Sequence, residues 1–577
     1  MAEEGSMSDS QGTTHHPASA ISRRGFLGGA LAAGAVAAAT AASGPLGALE
    51  PMRGATRAGA RVAGAAEAIA GAPFELEEAT VAQLGEWMAS GRFTSRDLVE
   101  RYLARIEDLD RRGPAINQII ELNPDALAIA DAMDAERRAG KVRGPLHGVP
   151  VLLKDNIGTD DRMQTTAGSL ALVGAKVRRD SFVAARLRDA GAIILAKTNL
   201  SEWANFRSTH SSSGWSGRGG QTRNPYALDR TPSGSSSGSG GAIAANFAAV
   251  AAGTETDGSV TSPAAAMSLV GIKPTLGLVS RSGIVPLAHS QDTAGPMART
   301  VADAAVLLGA MTGVDTRDAA TTPSRGKALA DYTTFLDADG LRGARIGVAH
   351  EHFMGYSSRT DALLMAAADA MKQLGATVVH GTELATAGKF DDSEFEVLLY
   401  EFKADLDAYL ASLGAGARVH SLADVIAFNE RNAATEMPYF GQEIMLRAQK
   451  KGPLTEAAYR TALATNHRLA AAQGIDATMR RYRLDAIVAP TQGPPALIDL
   501  VNGDPSGGGS FTSPAAVAGY PHITVPMGYV FGLPVGISFV GRAWSEPTLI
   551  RLAYAYEQAT KHRRPPRFLA TAEMGQG

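Results

Sequence analysis

Two spacings of apolar residues alternate along most of this chain. Val81, Leu84, Trp87 and Met88 recur at helical intervals behind Thr80, and Leu98, Tyr102, Leu103 and Ile106 do so behind Thr94-Ser95-Arg96-Asp97. Thr94 with an acidic residue three positions on resembles a capping box, and each stretch predicts a helix with one buried face. Gly148-Val149-Pro150 then leads into the short apolar run Val151-Leu152-Leu153, which ends on Lys154. An unbroken run of this length, bounded by turn residues, predicts a buried strand. A helix over 181–190 and a strand over 192–196 follow, with further strands at 344–349 and 484–490. Between about 351 and 481 the pattern turns helical, with Tyr, Phe and Met among the apolar positions, and predicts an insertion that roofs part of a site. Beyond it, 520–526 and 533–541 predict two strands joined by a turn, and about 546–560 a closing helix. Helices alternating with strands imply an α/β fold, a sheet covered by helices, in which strands from both ends of the chain share one sheet.

The first 73 residues read differently. Ser22-Arg23-Arg24-Gly25-Phe26-Leu27 precedes an Ala/Gly-rich, weakly apolar stretch to Ala42. A positive end followed by small residues matches a twin-arginine export signal over 1–42; alanine and glycine supply too little hydrophobicity for a secure membrane span. Residues 43–73 read as a low-complexity tether. The expected location is periplasmic or extracellular, with no stable membrane anchor after signal cleavage.

Composition narrows the chemistry. The chain has 577 residues, 45% hydrophobic and 20% charged, as in a soluble globular enzyme. The net charge of −3 is too small to imply a nucleic-acid partner. There is no cysteine, which removes a thiol nucleophile, a disulfide framework and a thiolate metal site together. The histidines show no tight ligand spacing, so neither a metal nor another cofactor is expected.

Candidate chemistry lies in two runs of small residues, Thr231-Pro232-Ser233-Gly234-Ser235-Ser236-Ser237-Gly238-Ser239-Gly240-Gly241 and Gly253-Thr254-Glu255-Thr256-Asp257-Gly258-Ser259-Val260. A Gly/Ser tract alone is more often a linker. This one is entered through Thr231-Pro232 and followed by the apolar stretch 242–252, so it must be ordered, with glycine serving close backbone approach.

These runs, with Gly148-Val149-Pro150 and Lys154-Asp155-Asn156, Asn224-Pro225-Tyr226, Ile272-Lys273-Pro274-Thr275 with Gly277-Leu278-Val279-Ser280, Asp292-Thr293-Ala294-Gly295-Pro296-Met297 and Gly532-Leu533-Pro534-Val535-Gly536, resemble the amidase signature family in family order. Ser290-Gln291-Asp292 and Phe428-Asn429 through Tyr439-Phe440-Gly441-Gln442 are most similar to bacterial peptide amidases, which remove the C-terminal amide of peptides. The resemblance spans about 74–567 and implies a single large domain, with a central mixed β-sheet covered by helices on both sides. It implies amide hydrolysis through a Ser-Ser-Lys triad: Lys154 the base, Ser235 the relay after a cis Gly234–Ser235 bond, and Ser259 the nucleophile. The backbone N–H groups of Thr256, Asp257, Gly258 and Ser259 would form the oxyanion hole. Burial would lower the lysine pKa enough for the neutral amine to accept a proton. The substrate is then a small-molecule or peptide amide, and the oligomeric state is open.

The chain departs from the commonest family pattern at two points. Asp257 stands where a glycine is usual, and is expected to tolerate a left-handed backbone. Thr261 stands where an arginine is usual, and is expected to leave the pocket without a cation for a substrate carboxylate. Other readings stay open. Ser236 is central in a Gly-x-Ser-x-Gly pattern but lacks the preceding strand of a nucleophile elbow, and Ser324-Arg325-Gly326-Lys327 matches Ser-x-x-Lys in a polar loop. The functional alternatives are a general aliphatic or aryl amidase, a secreted non-catalytic binding protein and one component of a transfer-RNA amidotransferase; the export signal argues against the last. His147 is expected to pack in a turn. His289 and Asp292 are candidate helpers, and Trp203, Trp215 and Tyr439 are core residues or pocket lining.

Overall fold

The computed structural model describes residues 74–505 and 509–574. The export signal and tether assigned to 1–73 lie outside the described residues. Thirteen strands are defined, in chain order β1 (Ile119–Leu122), β2 (Pro150–Lys154), β3 (Ile193–Thr198), β4 (Trp215–Ser216), β5 (Gly220–Gln221), β6 (Val250–Glu255) and β7 (Val270–Lys273). They continue with β8 (Thr293–Ala298), β9 (Arg345–Ala349), β10 (Thr377–Thr382), β11 (Ala486–Pro490), β12 (His522–Val530) and β13 (Leu533–Val540).

Eleven of them form one sheet in the order β1-β3-β2-β6-β8-β7-β12-β13-β11-β9-β10, while β4 and β5 make a separate ribbon. β2 runs parallel to β3 and β6, and β9 parallel to β10 and β11; the strands from β6 through β8, β7, β12 and β13 to β11 pair antiparallel. The sheet is therefore mixed. Every residue of β2, β3, β6, β7, β8, β11 and β13 is buried. Because successive side chains point to opposite faces, continuous burial means that both faces are covered, here by helices.

The capping boxes at Thr80 and Thr94 both form, with the helices Val81–Ala89 and Ser95–Ile106 behind them. The region between 351 and 481 is not wholly helical. β10 joins the sheet edge beside β9, reached through the helix Ser358–Gln373. Half of β10 is exposed, so Thr377 to Thr382 carries no apolar run that would mark it as a strand. From Asp391 onward the insertion is helical and packs as a separate cluster around Phe395, Leu399, Phe402 and Leu406. Among the described residues no helix is long and apolar enough to cross a membrane.

The Gly/Ser tract does not stay a loop: it becomes the first turns of the buried helix Ser237–Ala244. Glycine is a poor helix former, by about 1 kcal/mol per residue against alanine, so tertiary packing must stabilise this segment. A Cβ on Gly238 would sit 2.4 Å from the Gln118 carbonyl oxygen and 2.5 Å from that of Asn199. The bare backbone is what lets the helix lie against these chain segments.

Candidate active site

Lys154 is the last residue of β2 and fully buried, as is Ser235; Ser259 is 8% exposed. The lysine Nζ donates to Ser235 Oγ at 2.7 Å, to Thr254 Oγ1 at 2.9 Å and to the Thr254 carbonyl at 3.3 Å. Asn156 Nδ2 donates to the same Thr254 hydroxyl at 2.9 Å. Burial pulls the ammonium pKa down to about 7, against the negative charges of Asp292 and Glu255, which oppose the fall. A lysine in this state exchanges its proton near neutral pH, which an exposed lysine does not.

The two small-residue runs meet beside this lysine. The Gly234–Ser235 peptide bond is cis. The next residue, Ser236, donates from Oγ to the Thr254 carbonyl at 3.1 Å and accepts from the Thr254 N–H at 3.2 Å. Its own N–H donates to the Ser259 carbonyl at 3.1 Å. Ser236 thus splices the two runs and faces inward, so it is not an exposed nucleophile.

Between β6 and the helix Thr261–Ala266 the chain makes the tight loop that carries Ser259. Glu255, buried, accepts from the N–H groups of Val260 and Thr261 at 2.8 and 2.9 Å. Thr256 Oγ1 donates to Asp292 at 2.6 Å, and Gln291 Nε2 to the Thr256 carbonyl at 3.3 Å. Thr512 Oγ1 donates to Asp257 at 2.5 Å. Sequence reasoning does not single out Thr254, Asn156, Glu255 or Thr512. The first three lie inside or beside the quoted motifs, whereas Thr512 comes from a remote loop that no local signal connects to the site.

One expectation changes here. The left-handed turn falls on Gly258, at φ +77°, and Asp257 needs no unusual backbone. Thr261 is fully buried, with its hydroxyl on Glu255, and does not line the cleft. The cleft receives no cation from this position, as expected. Trp203 and Trp215 are core residues and Tyr439 is half exposed; none of the three lines the cleft. Asp292 supports Thr256 and accepts from the Leu287 and Ala288 N–H groups. His289 is bound between Asp405 at 2.8 Å and Glu401 at 3.3 Å. His289, Glu401 and Asp405 are the group with ion-ligating geometry among the described residues, and their atoms are spent on one another. His147 packs on the Met133 carbonyl; Ser324 caps its own turn and Lys327 lies over the Trp544 ring.

Ser259 opens onto a cleft of about 770 Å³. Gly234, Thr256, Asp257 and Ser259 form its floor, and Phe206, Phe353, Phe390, Phe395 and Leu398 give it an apolar wall. Asp257, Asp391 and Asp504 are its acidic residues, and no lysine or arginine lines it among the described residues.

Comparison with known proteins identifies the family. The family model described as Amidase matches residues 97–550. The structure of native peptide amidase from Stenotrophomonas maltophilia aligns with a TM-score of 0.82 at 52% identity, over 86% of this chain and 100% of that one. A probable amidase of Arabidopsis thaliana is 44% identical over 506 residues, 86% of this chain and 93% of that protein. One component of the glutamyl-tRNA(Gln) amidotransferase of Chloroflexus aurantiacus is 35% identical over 508 residues, 86% of this chain and 99% of that protein. On sequence, fold and the enzymes it resembles, this chain belongs to the amidase signature family, as a hydrolase of amide C–N bonds.

Proposed function

We propose that the enzyme releases ammonia from carboxamides on peptidic or similarly extended acyl groups, through Lys154, Ser235 and Ser259. The observation that carries this reading is the 2.7 Å contact from a fully buried lysine to Ser235, on a strip spliced to the Ser259 loop. Neutral Lys154 takes the Ser235 proton as Ser235 takes that of Ser259, and Ser259 Oγ bonds to the amide carbon. The carbonyl oxygen gains the charge, and N–H groups of the 256–259 loop stabilise it. Losing one such donor costs about 10²–10³ in rate. The proton returns through Ser235 to the departing nitrogen, the C–N bond breaks, and ammonia leaves a Ser259 ester. Water then attacks that ester along the same relay and frees the acid.

Substrate preference rests on the cleft. Its apolar wall suits an extended acyl part, and a lining that holds three acidic residues and no lysine or arginine among the described residues disfavours an anionic one. The likeness to peptide amidase points the same way. Ammonia release from a panel of peptide amides, aliphatic amides, aryl amides and malonamate-like anions tests this. Faster turnover of the anions than of a dipeptide amide would overturn the specificity and leave the triad standing.

The export reading also stands as a proposal, supported by Arg23-Arg24 and the small-residue stretch behind them. Changing both arginines to lysine should strand the full chain in the cytoplasm on fractionation; unchanged export would remove the twin-arginine route.

A further inference from the structure

A deeply buried charge cluster outside the cleft lies where the helical insertion meets the segment after β3. Arg207 Nη1 donates to Glu202 Oε1 at 2.9 Å and lies 3.9 Å from Glu436 Oε2, at the end of the helix Ala433–Glu436. The guanidinium is 4.3 Å from the Phe440 ring centre and 5.1 Å from that of Trp215. All three charged side chains are at most 1% exposed. Two ionised carboxylates against one guanidinium would leave a net negative charge in a dry site, which is costly. Glu202 Oε2 accepts from the Gly217 N–H at 2.8 Å, and Glu436 Oε1 from the Leu170 N–H at 2.7 Å. Glu436 Oε2 is buried and has no hydrogen-bond donor among the described residues. A Cβ built on Gly217 would lie 2.5 Å from that oxygen and 3.2 Å from Glu202 Oε2, so the two oxygens face one small space.

We propose that Glu436 is a positioning residue for Ser235: it shares one proton with Glu202, and the pair, clamped by Arg207, fastens the insertion to the strip that holds the Ser235 backbone. The inference rests on Ser235 acting as the relay. Its route is short. Ser201, next to Glu202, donates its N–H to the Ser235 carbonyl at 3.1 Å, and its hydroxyl accepts from the Gly214 N–H at 2.9 Å. Burial pushes both carboxyls up from the usual carboxylate range; the Glu436 charge raises Glu202 further, whereas the hydrogen bond from Glu202 favours ionised Glu436, and Arg207 opposes both rises. The neighbouring charges are already matched: Arg218 to Glu121 and Asp155, and Glu443 to Ser208 and Thr209. A carboxyl with a raised folded-state pKa contributes stability that is complete below its unfolded value and lost as pH rises through the folded one. The clamp therefore weakens on the alkaline side, as the shared proton leaves.

The test is the pH dependence of kcat and KM on a peptide amide in the wild type, Glu436→Gln, Glu202→Gln and Glu436→Ala, with thermal melts alongside. An amide cannot lose the proton; at 436 it can still donate toward Glu202, whereas at 202 its NH2 faces an N–H donor and gives up one bond. Glu436→Gln should retain neutral-pH kcat within about threefold, and both Gln variants should lose the alkaline decline of the wild type. Glu436→Ala should lower kcat about 10- to 100-fold with KM little changed. If the Ala variant does not fold, the near-isosteric Gln variants decide. An alkaline limb in Glu436→Gln and Glu202→Gln equal to that of the wild type overturns the proposal, as does undiminished kcat in a folded Glu436→Ala. Full turnover by Ser259→Ala would instead overturn the triad, a result read independently of the alkaline limb.

Discussion

The floor and the wall of the cleft are built by opposite means. On the floor, Lys154, Ser235 and Ser259 sit at strand ends and helix starts, among alanine, glycine, serine and threonine, and backbone groups help to join the segments that carry them. On the wall, long side chains from the helical insertion reach across to the sheet-borne part through Gln291 to Glu394, His289 to Asp405 and Arg207 between Glu202 and Glu436. Reacting atoms placed by rigid backbone tolerate little substitution. A wall assembled from side chains can change its shape while the chemistry beneath it is kept. The floor, with the Glu436 clamp that fastens it, should accordingly govern kcat and the apolar face of the wall KM.

Three experiments could break that division. The largest effect should come from the floor: Lys154→Arg, like Ser259→Ala, should cost at least about 10⁴-fold in kcat in a folded protein, because guanidinium stays protonated and cannot act as a base. In the wild type, kcat should rise with pH through about 7 as Lys154 loses its proton. The stability sign agrees: a lysine with a depressed folded-state pKa contributes stability above its unfolded value and loses it as pH falls from there through about 7. An active Arg variant would take the lysine out of the base role. A smaller effect is expected at Asp292, which holds Thr256 and whose charge favours protonated Lys154. Asp292→Asn should lower kcat about tenfold and move the acidic limb to lower pH; a limb moving upward would contradict the assigned sign. The smallest change belongs to the wall, where Phe395→Leu should raise KM for a dipeptide amide about three- to tenfold and leave acetamide turnover unaltered. A matching loss in kcat for both substrates would erase the floor and wall distinction.

What the sequence makes legible divides along the same line. Lys154 stands out because a charged residue closing an apolar run has few structural explanations. Ser235 and Ser259 stand out because ordered runs of small residues flank them. β6 and β8 do not, because Val250 to Glu255 and Thr293 to Ala298 are rich in alanine, glycine and threonine; strands buried on both faces show no alternation. That the Thr261 side chain turns inward onto Glu255 is not legible, because a loop rather than its neighbours in sequence imposes the orientation. The Glu202, Arg207 and Glu436 cluster joins residues more than two hundred positions apart, and nothing local announces it.

The sheet order has a consequence for how the molecule comes into being. Within the sheet, β1, β2, β3, β6, β7 and β8 make one half and β9 to β11 the other, and the two are joined through β12 and β13, residues 522–540. Until the ribosome has delivered that hairpin, β7 and β11 present unpaired edges, one on each half, and an unpaired edge invites strands from other chains. Assembly of the sheet must wait for nearly the whole polypeptide, so long-range closure rather than local helix formation should limit its rate. A chain halted before residue 522 would hold every residue assigned to the chemistry and still have a sheet in two pieces.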